Sequence, residues 1–176
     1  TPPKTTTELT VTSTPFTFNL KQATNAVAER SVQSKQALFG TVLHEVMALV
    51  DVPQDLDRAL SQSKAKERLG KIQYERLLKI TKEMLSHEQL AVYFDPANTP
   101  YKERDLFAAN GELLRPDRFV ITPENKVLLL DFKTGQHQNS HINQLEQYAL
   151  CLTEQGLNVK QNLLVYCGKT LNLKEV

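Results

Sequence analysis

Two acidic residues and a lysine are spaced so that a β-hairpin would bring their side chains together. Asp117 and Asp131 lie at the far ends of two apolar, β-prone runs that are joined by the polar, turn-like segment 122–126. If the hairpin is centred on Glu124, Asp117 faces Asp131, with Cβ atoms about 4.5–5.5 Å apart. Lys133 is two residues beyond Asp131 and therefore points to the same face of its strand.

This predicted cluster is unfavourable unless it has a function. Like charges that oppose each other directly destabilise a pair of strands, and such a break of a local rule indicates a functional site. A hard divalent cation prefers carboxylate oxygen ligands and would relieve the repulsion between Asp117 and Asp131. The alternative is that both are ordinary surface acids of a hairpin, which their apolar flanks disfavour.

The N-terminal half of the chain has helical patterns. Helices are predicted at 21–33, 38–50, 54–62 and 71–86, with a break near Gly70. The second of these carries a continuous apolar stripe at the 3.6-residue period. Between residues 58 and 82, eight basic residues outnumber two acidic ones, which is typical either of a solvated helix face or of a surface that contacts phosphates.

The C-terminal half changes to strand patterns. Strands are predicted at 90–94, 103–108, 113–121, 126–132 and 162–166, and a helix that Asn139 or Ser140 caps is predicted to run to about Glu154. Antiparallel strands followed by a helix and a last strand indicate an α/β or α+β domain. We expect a central mixed sheet flanked by helices, with extra helices from the N-terminal half.

Composition indicates a single domain without a membrane span. A Thr-rich linker is predicted at 1–14 and one domain at 15–176, in what we interpret as an excised fragment. Mean hydropathy is −0.38, and no run approaches the ~20 apolar residues that a span requires. We expect no signal peptide, because the start is rich in Thr and Pro. Cys151 and Cys167 lack metal-ligand spacing, which is typical of a reducing cytoplasm. The net charge of +1 is a weak argument for a polyanionic partner.

Four motifs together resemble the RecB-type nucleases of the PD-(D/E)xK superfamily. Asp117 with Asp131-x-Lys133 is similar to the acid and acid-x-lysine signature of that superfamily. The segment 40–44 resembles its upstream Gly-x-x-x-His helix, and 131–135 matches Asp-Tyr-Lys-Thr-Gly with Phe in place of Tyr. The segment 144–148 resembles its Gln-x-x-x-Tyr element. Order and spacing agree over roughly residues 38–166.

The resemblance implies a restriction-endonuclease-like core and a definite activity. The chain is expected to be the nuclease domain of a cytoplasmic RecB/AddB-like helicase–nuclease that acts in DNA repair and recombination. The implied reaction is hydrolysis of DNA with Mg²⁺ or Mn²⁺, on single-stranded DNA delivered by the helicase portion. Relatives with an iron–sulfur cluster use four cysteines, so this chain, with two, is predicted to hold no cluster. The rival interpretation is a nuclease-fold module that binds DNA or a partner without cleaving.

The resemblance also assigns the cation's ligands. Asp117 and Asp131 supply carboxylates, Phe132 its backbone carbonyl and His44 its imidazole. Without the resemblance, a lone histidine beside an apolar helix stripe is more often a boundary residue. Glu103 resembles an acid on the preceding strand that ligates the metal through water.

Four further side chains complete the predicted site with Lys133. Lys133 is predicted to position the attacking water and to stabilise charge on the phosphate. Gln144 and Tyr148 lie on one helix face and contact either the catalytic strand or DNA, with simple packing as the alternative for Tyr148. Arg115 and Arg118 contact phosphates or merely balance the neighbouring acids.

Overall fold

The computed structural model describes the backbone of residues 20–176 and the side chains from Val32 onward. The predicted linker at 1–14 lies outside the described residues, and a single domain at 15–176 stays a prediction. Contacts divide the chain into two units, Thr1–Gln33 and Ser34–Val176. The whole sheet and every predicted site residue belong to the second unit.

Helices form the first part of the described chain. Helix α1 spans Leu20–Leu49, so the two helices predicted at 21–33 and 38–50 are one. Next come a 3₁₀ turn at Pro53–Asp55 and the helices α2 (Leu56–Gln62), α3 (Ala65–Arg68) and α4 (Lys71–Ser86). The predicted break at Gly70 is confirmed, because Gly70 is the N-cap of α4. None of the helices from Leu20 onward combines the length and apolar character that a membrane crossing needs.

A five-stranded mixed sheet forms the rest, with the strand order β1-β4-β5-β6-β7. Its strands are β1 (Thr99–Lys102), β4 (Arg118–Ile121), β5 (Lys126–Lys133), β6 (Asn158–Cys167) and β7 (Leu171–Glu175). Strands β5 and β6 are parallel and the other neighbours antiparallel, because helix α5 (Asn139–Glu154) crosses between β5 and β6. A separate pair consists of β2 (Leu106–Phe107) and β3 (Leu113–Leu114). The predicted mixed sheet flanked by helices is confirmed.

Two apolar cores cover the two faces of the sheet. Helices α1 and α4 pack on one face, where Val120 and Phe132 point, and α5 packs on the other, where Phe119 and Leu129 point. Since side chains alternate along a strand, Asp131 and Lys133 share the α5 face with Leu129. Asp117, Asp131 and Lys133 lie at the end of the sheet where β4 begins and β5 ends.

The strand predicted at 90–94 is wrong. Residues Glu88–Phe94 form a 3₁₀ helix, and His87 accepts a hydrogen bond from the amide of Gln89 at its start. Leu90, Tyr93 and Phe94 are buried. Their spacing of three and four residues is that of one helix face, which a short apolar run does not distinguish from a strand.

The strands predicted at 103–108 and 113–121 are also wrong in extent. The edge strand β1 ends before Glu103, and only Leu106–Phe107 of the predicted 103–108 is extended and paired, with β3. The region 113–121 divides into β3 and β4 around Pro116, which has no amide hydrogen to donate to a strand ladder.

Two details of the C-terminal prediction also need correction. The N-cap of α5 is Gln138, without a side-chain cap, so neither Asn139 nor Ser140 caps this helix. The strand predicted at 162–166 is part of the longer β6, and it is not the last one because β7 follows it.

Candidate active site

The β4–β5 hairpin has the predicted register. Arg118 pairs with Leu130 and Phe119 with Leu129, so one further step places Asp117 opposite Asp131. Lys133 Nζ lies 2.7 Å from Asp131 Oδ2. The contact is an ion pair between the buried Asp131 carboxylate and the Lys133 ammonium.

Asp117 joins the hairpin to helix α1. Its Oδ2 accepts a hydrogen bond of 2.6 Å from the amide of Phe132, which fixes the carboxylate across the hairpin. Its Oδ1 lies 2.8 Å from His44 Nδ1, on a helix seventy-three residues earlier in the chain. The structure thus brings His44 to the hairpin acids, a placement that sequence periodicity alone disfavoured.

The close approach of α1 to the end of β5 depends on a glycine. A Cβ added to Gly40 would lie 2.9 Å from Thr134 Oγ1 and so would overlap with it. Gly40 is one helical turn before His44, so this contact fixes how far along the hairpin the imidazole reaches. The sequence contained a signal for this contact, because Gly40 and Thr134 both belong to the recognised motifs, but their pairing was missed.

Glu103 enters the site through an unusual backbone conformation. It follows β1 with a φ of +46°, in the left-handed region that non-glycine residues rarely adopt. Its amide donates to the Asp117 carbonyl over 3.1 Å. One ligand atom each from Glu103, His44 and Asp117 lies within 4.8 Å of the others. Strain of this kind, when observed beside such a cluster, is typical of functional sites.

Negative charge accumulates in this cluster. Burial, followed by the proximity of Asp117, raises the pKa of Asp131 to about 7. Burial and Asp117 likewise raise the pKa of Glu103. Burial lowers the pKa of His44, but the hydrogen bond to Asp117 and the surrounding carboxylates outweigh it, so the net shift is upward. All three shifts have the direction expected where negative charge is in excess.

The donors present fit a hard divalent cation. Two carboxylates and one imidazole converge here, with the Asp131 carboxylate opposite Asp117 in the hairpin register, and oxygen-rich sets with few nitrogens suit Mg²⁺ and Mn²⁺. The Oδ2 atom of Asp131 is paired with Lys133 Nζ over 2.7 Å. A ligand role for the Phe132 carbonyl stays a prediction.

Helix α5 holds the lysine. Lys133 Nζ donates to Gln144 Oε1 over 2.7 Å, and Gln144 Nε2 donates to the Tyr148 hydroxyl oxygen over 2.7 Å. Tyr148 is buried, and burial raises its pKa. For Gln144 the geometry favours contact with strand β5, whereas Tyr148 contacts Gln144 and packs in the apolar core beside α5, as the packing alternative predicted.

The two arginines beside Asp117 do not face the cluster. Arg118 is 1% exposed and donates to the carbonyls of Tyr93, over 2.7 Å, and of Val50. Its predicted contact with phosphates is therefore wrong, because its side chain lies on the α1 face beneath the sheet. Arg115 is exposed and donates to Asp105 over 2.6 Å, which matches its predicted alternative of balancing a local acid.

The arginines of the basic segment 58–82 are also occupied. Arg58 pairs with Asp55 over 2.8 Å, and Arg68 pairs with Glu45. Arg76 donates to the Cys167 carbonyl over 2.9 Å and stacks on the ring of Phe39. These contacts favour the solvated-face interpretation for this segment.

A mixed sheet with an acid–acid–lysine cluster at the open end of its hairpin defines a restriction-endonuclease-like nuclease fold. The chain belongs to the PD-(D/E)XK nuclease superfamily, because the model of that superfamily matches residues 9–173. Members of this superfamily are generally metal-dependent nucleases. A search of curated proteins finds no significant match to the chain.

Proposed function

We propose that this domain hydrolyses DNA phosphodiester bonds with Mg²⁺ or Mn²⁺. The observation that carries the proposal is the convergence of His44, Glu103 and Asp117, from three separate elements, with ligand atoms within 4.8 Å of one another. Oxygen ligands lie about 2.0–2.6 Å from such a cation, so donor atoms this close can share one.

In this proposal Asp117, Asp131 and His44 hold the cation. Glu103, directly or through water, and the Phe132 carbonyl complete the set. When bound, the cation polarises the scissile phosphate and lowers the pKa of a water molecule. Asp117 also positions His44 relative to β5, because it accepts a hydrogen bond from the Phe132 amide while it contacts the imidazole.

Lys133 is proposed to donate hydrogen bonds to the attacking water and to the charge that develops on the phosphate. Its side chain is 17% exposed, so the ammonium is partly desolvated, where charge–charge interactions are stronger than in water. Gln144 and Tyr148 act through Lys133 by restricting where its ammonium lies. We regard both as positioning residues.

We also propose that the chain is the nuclease domain of a RecB/AddB-like helicase–nuclease. Such a protein would act on single-stranded DNA in cytoplasmic DNA repair and recombination. The RecB-type motifs of the chain support this proposal, because their residues contact one another in the fold. Gly40 of the segment 40–44 packs on Thr134 of the segment 131–135, and Lys133 of that second segment contacts Gln144 of the segment 144–148. A motif set whose members contact one another is more specific than its short segments taken separately.

The test is cleavage of labelled single-stranded and duplex DNA with Mn²⁺, Mg²⁺ or EDTA. We expect metal-dependent cleavage that Asp131→Ala and Lys133→Ala abolish. Lys126→Ala, an exposed lysine at the opposite end of the same strand, is the matched control and should leave cleavage unchanged. Equal activity of Lys133→Ala and Lys126→Ala would overturn the assignment, and an inactive wild type would favour the non-cleaving module.

A further inference from the structure

A cleft of about 340 Å³ opens beside the catalytic hairpin, outside the cation cluster. One wall is the loop after β5, with Gly135 and His137. The other walls are Tyr166, near the end of β6, and the β6–β7 turn with β7, which bring Lys169 and Lys174. The mechanism proposed above uses none of these five residues.

The cleft is basic and polar. Among its described lining residues none is acidic, although acids and bases are nearly balanced in the chain as a whole. Lys169 is exposed, and Lys174 is half-buried with its Nζ 2.8 Å from His137 Nε2. An ammonium has three protons, so Lys174 keeps donors available after it has contacted His137.

Three aromatic rings support one wall of the cleft, with both histidine rings tilted relative to that of Tyr166. His137 and His141 lie 5.5 Å and 5.8 Å from the ring of Tyr166, and His141 Nδ1 is 3.3 Å from the Tyr166 hydroxyl. Tyr166 is 7% exposed, so it supports the wall without offering a stacking surface of its own. His137, Lys169, Thr170 and Asn172 are exposed at the cleft, and Lys174 is half-buried.

The cleft is continuous with the reaction centre. Tyr166 pairs with Lys133 in the parallel β5–β6 register, so the two residues are neighbours across one strand spacing, about 4.8 Å. Gly135 is only two residues after Lys133. A strand with a phosphate at the cation cluster would therefore reach the cleft within a few nucleotides.

We propose that this cleft binds the backbone phosphates of a single DNA strand a few nucleotides from the scissile bond, with Lys169 and Lys174 as the phosphate contacts. The inference rests on the proposed function and adds where the substrate strand runs. The cleft has the volume of a small-ligand site, which suits one strand and is too small for a duplex. Its charge suits the phosphate backbone, the dominant source of affinity for nucleic acids.

The test measures binding without cleavage. Fluorescence anisotropy of a labelled oligothymidine is followed in EDTA for the wild type and for Lys169→Ala/Lys174→Ala. The control is Lys126→Ala/Lys160→Ala, which removes the same charge from exposed positions at the far end of the sheet. Melting temperatures establish that each variant folds, and single Lys→Gln variants replace any double variant that does not.

We expect the cleft variant to bind roughly 25-fold more weakly than wild type at ~0.1 M salt, and its log K versus log salt slope to be shallower by about 1.4. The control should keep the wild-type slope. Equal behaviour of both double variants, or a wild type that does not bind the oligonucleotide, would overturn the proposal. Cleavage by the wild type is assayed separately with Mn²⁺. Normal binding without cleavage would contradict the proposed function alone, and cleavage that ignores the cleft lysines would contradict this inference alone.

Discussion

Gly40 on helix α1 and Thr134 at the end of β5 approach so closely that a Cβ on Gly40 would lie 2.9 Å from Thr134 Oγ1. We predict that Gly40→Ala destabilises the protein, because overpacking costs about 1–3 kcal/mol and exceeds the ~0.5–1 kcal/mol that alanine gains in a helix. Urea denaturation of Gly40→Ala in wild-type and Thr134→Ala backgrounds tests it. In the Thr134→Ala background, Gly40→Ala should be neutral or stabilising. An equal loss of unfolding free energy in both backgrounds would show that the contact with Thr134 is not responsible.

Arg118 is predicted to be a structural residue. Arg118→Met removes donors to the carbonyls of Tyr93 and Val50 and should lower the free energy of unfolding by about 3 kcal/mol. Burial lowers the pKa of Arg118 to about 10, so keeping this buried side chain charged costs free energy. Arg115→Met, at an exposed position, is the control and should change stability little. A loss of DNA affinity in folded Arg118→Met, with stability unchanged, would contradict this role.

Gln144 is predicted to act through Lys133. Gln144→Ala should lower kcat about tenfold with little change in KM, because the lysine loses its hydrogen-bond partner. The diagnostic variant is the double substitution with Lys133→Ala, which should be no slower than Lys133→Ala alone. Additive losses would mean that Gln144 contacts DNA independently. Tyr148→Phe should have a smaller effect in the same direction, since Tyr148 contacts only Gln144 in this chain of hydrogen bonds.

The buried carboxyl of Asp131 predicts a pH dependence of stability in EDTA. Its pKa is about 7 in the folded protein, because of burial and Asp117, and near its ordinary value when unfolded. The folded state therefore binds more protons between these values, so stability is highest at the acidic end and falls as the pH rises through about 7. Asp131→Asn should flatten this decline in thermal unfolding. If the stability of Asp131→Asn declines with pH as steeply as that of the wild type, another group binds the proton.

Much of the site could be predicted because it depends on local geometry. The register of the β4–β5 hairpin follows from its apolar runs and the short turn around Glu124, so the opposition of Asp117 and Asp131 was available from sequence. The α5 pair Gln144 and Tyr148 similarly follows from a spacing of four residues on a helix. Local periodicity was sufficient in both cases.

The parts that were missed depend on long-range packing. Arg118 follows Asp117 directly, so alternation along the strand sends it to the opposite face, but its carbonyl partners are distant in sequence and invisible to local patterns. The left-handed backbone of Glu103 has no local signal either, because glutamate gives no indication of positive φ. The helical turn at 88–94 shows the ambiguity of short apolar runs, whose state is decided by the core they join.

We predict that the cluster of His44, Glu103, Asp117 and Asp131 holds a divalent cation. Calorimetric titration of Mn²⁺ into wild type, Asp117→Asn and Asp105→Asn tests it most directly, since Asp105 is an exposed acid paired with Arg115. We predict that Asp117→Asn weakens Mn²⁺ binding at least about tenfold, while Asp105→Asn binds like wild type. Wild-type Mn²⁺ affinity in Asp117→Asn would show that this cluster does not hold the cation.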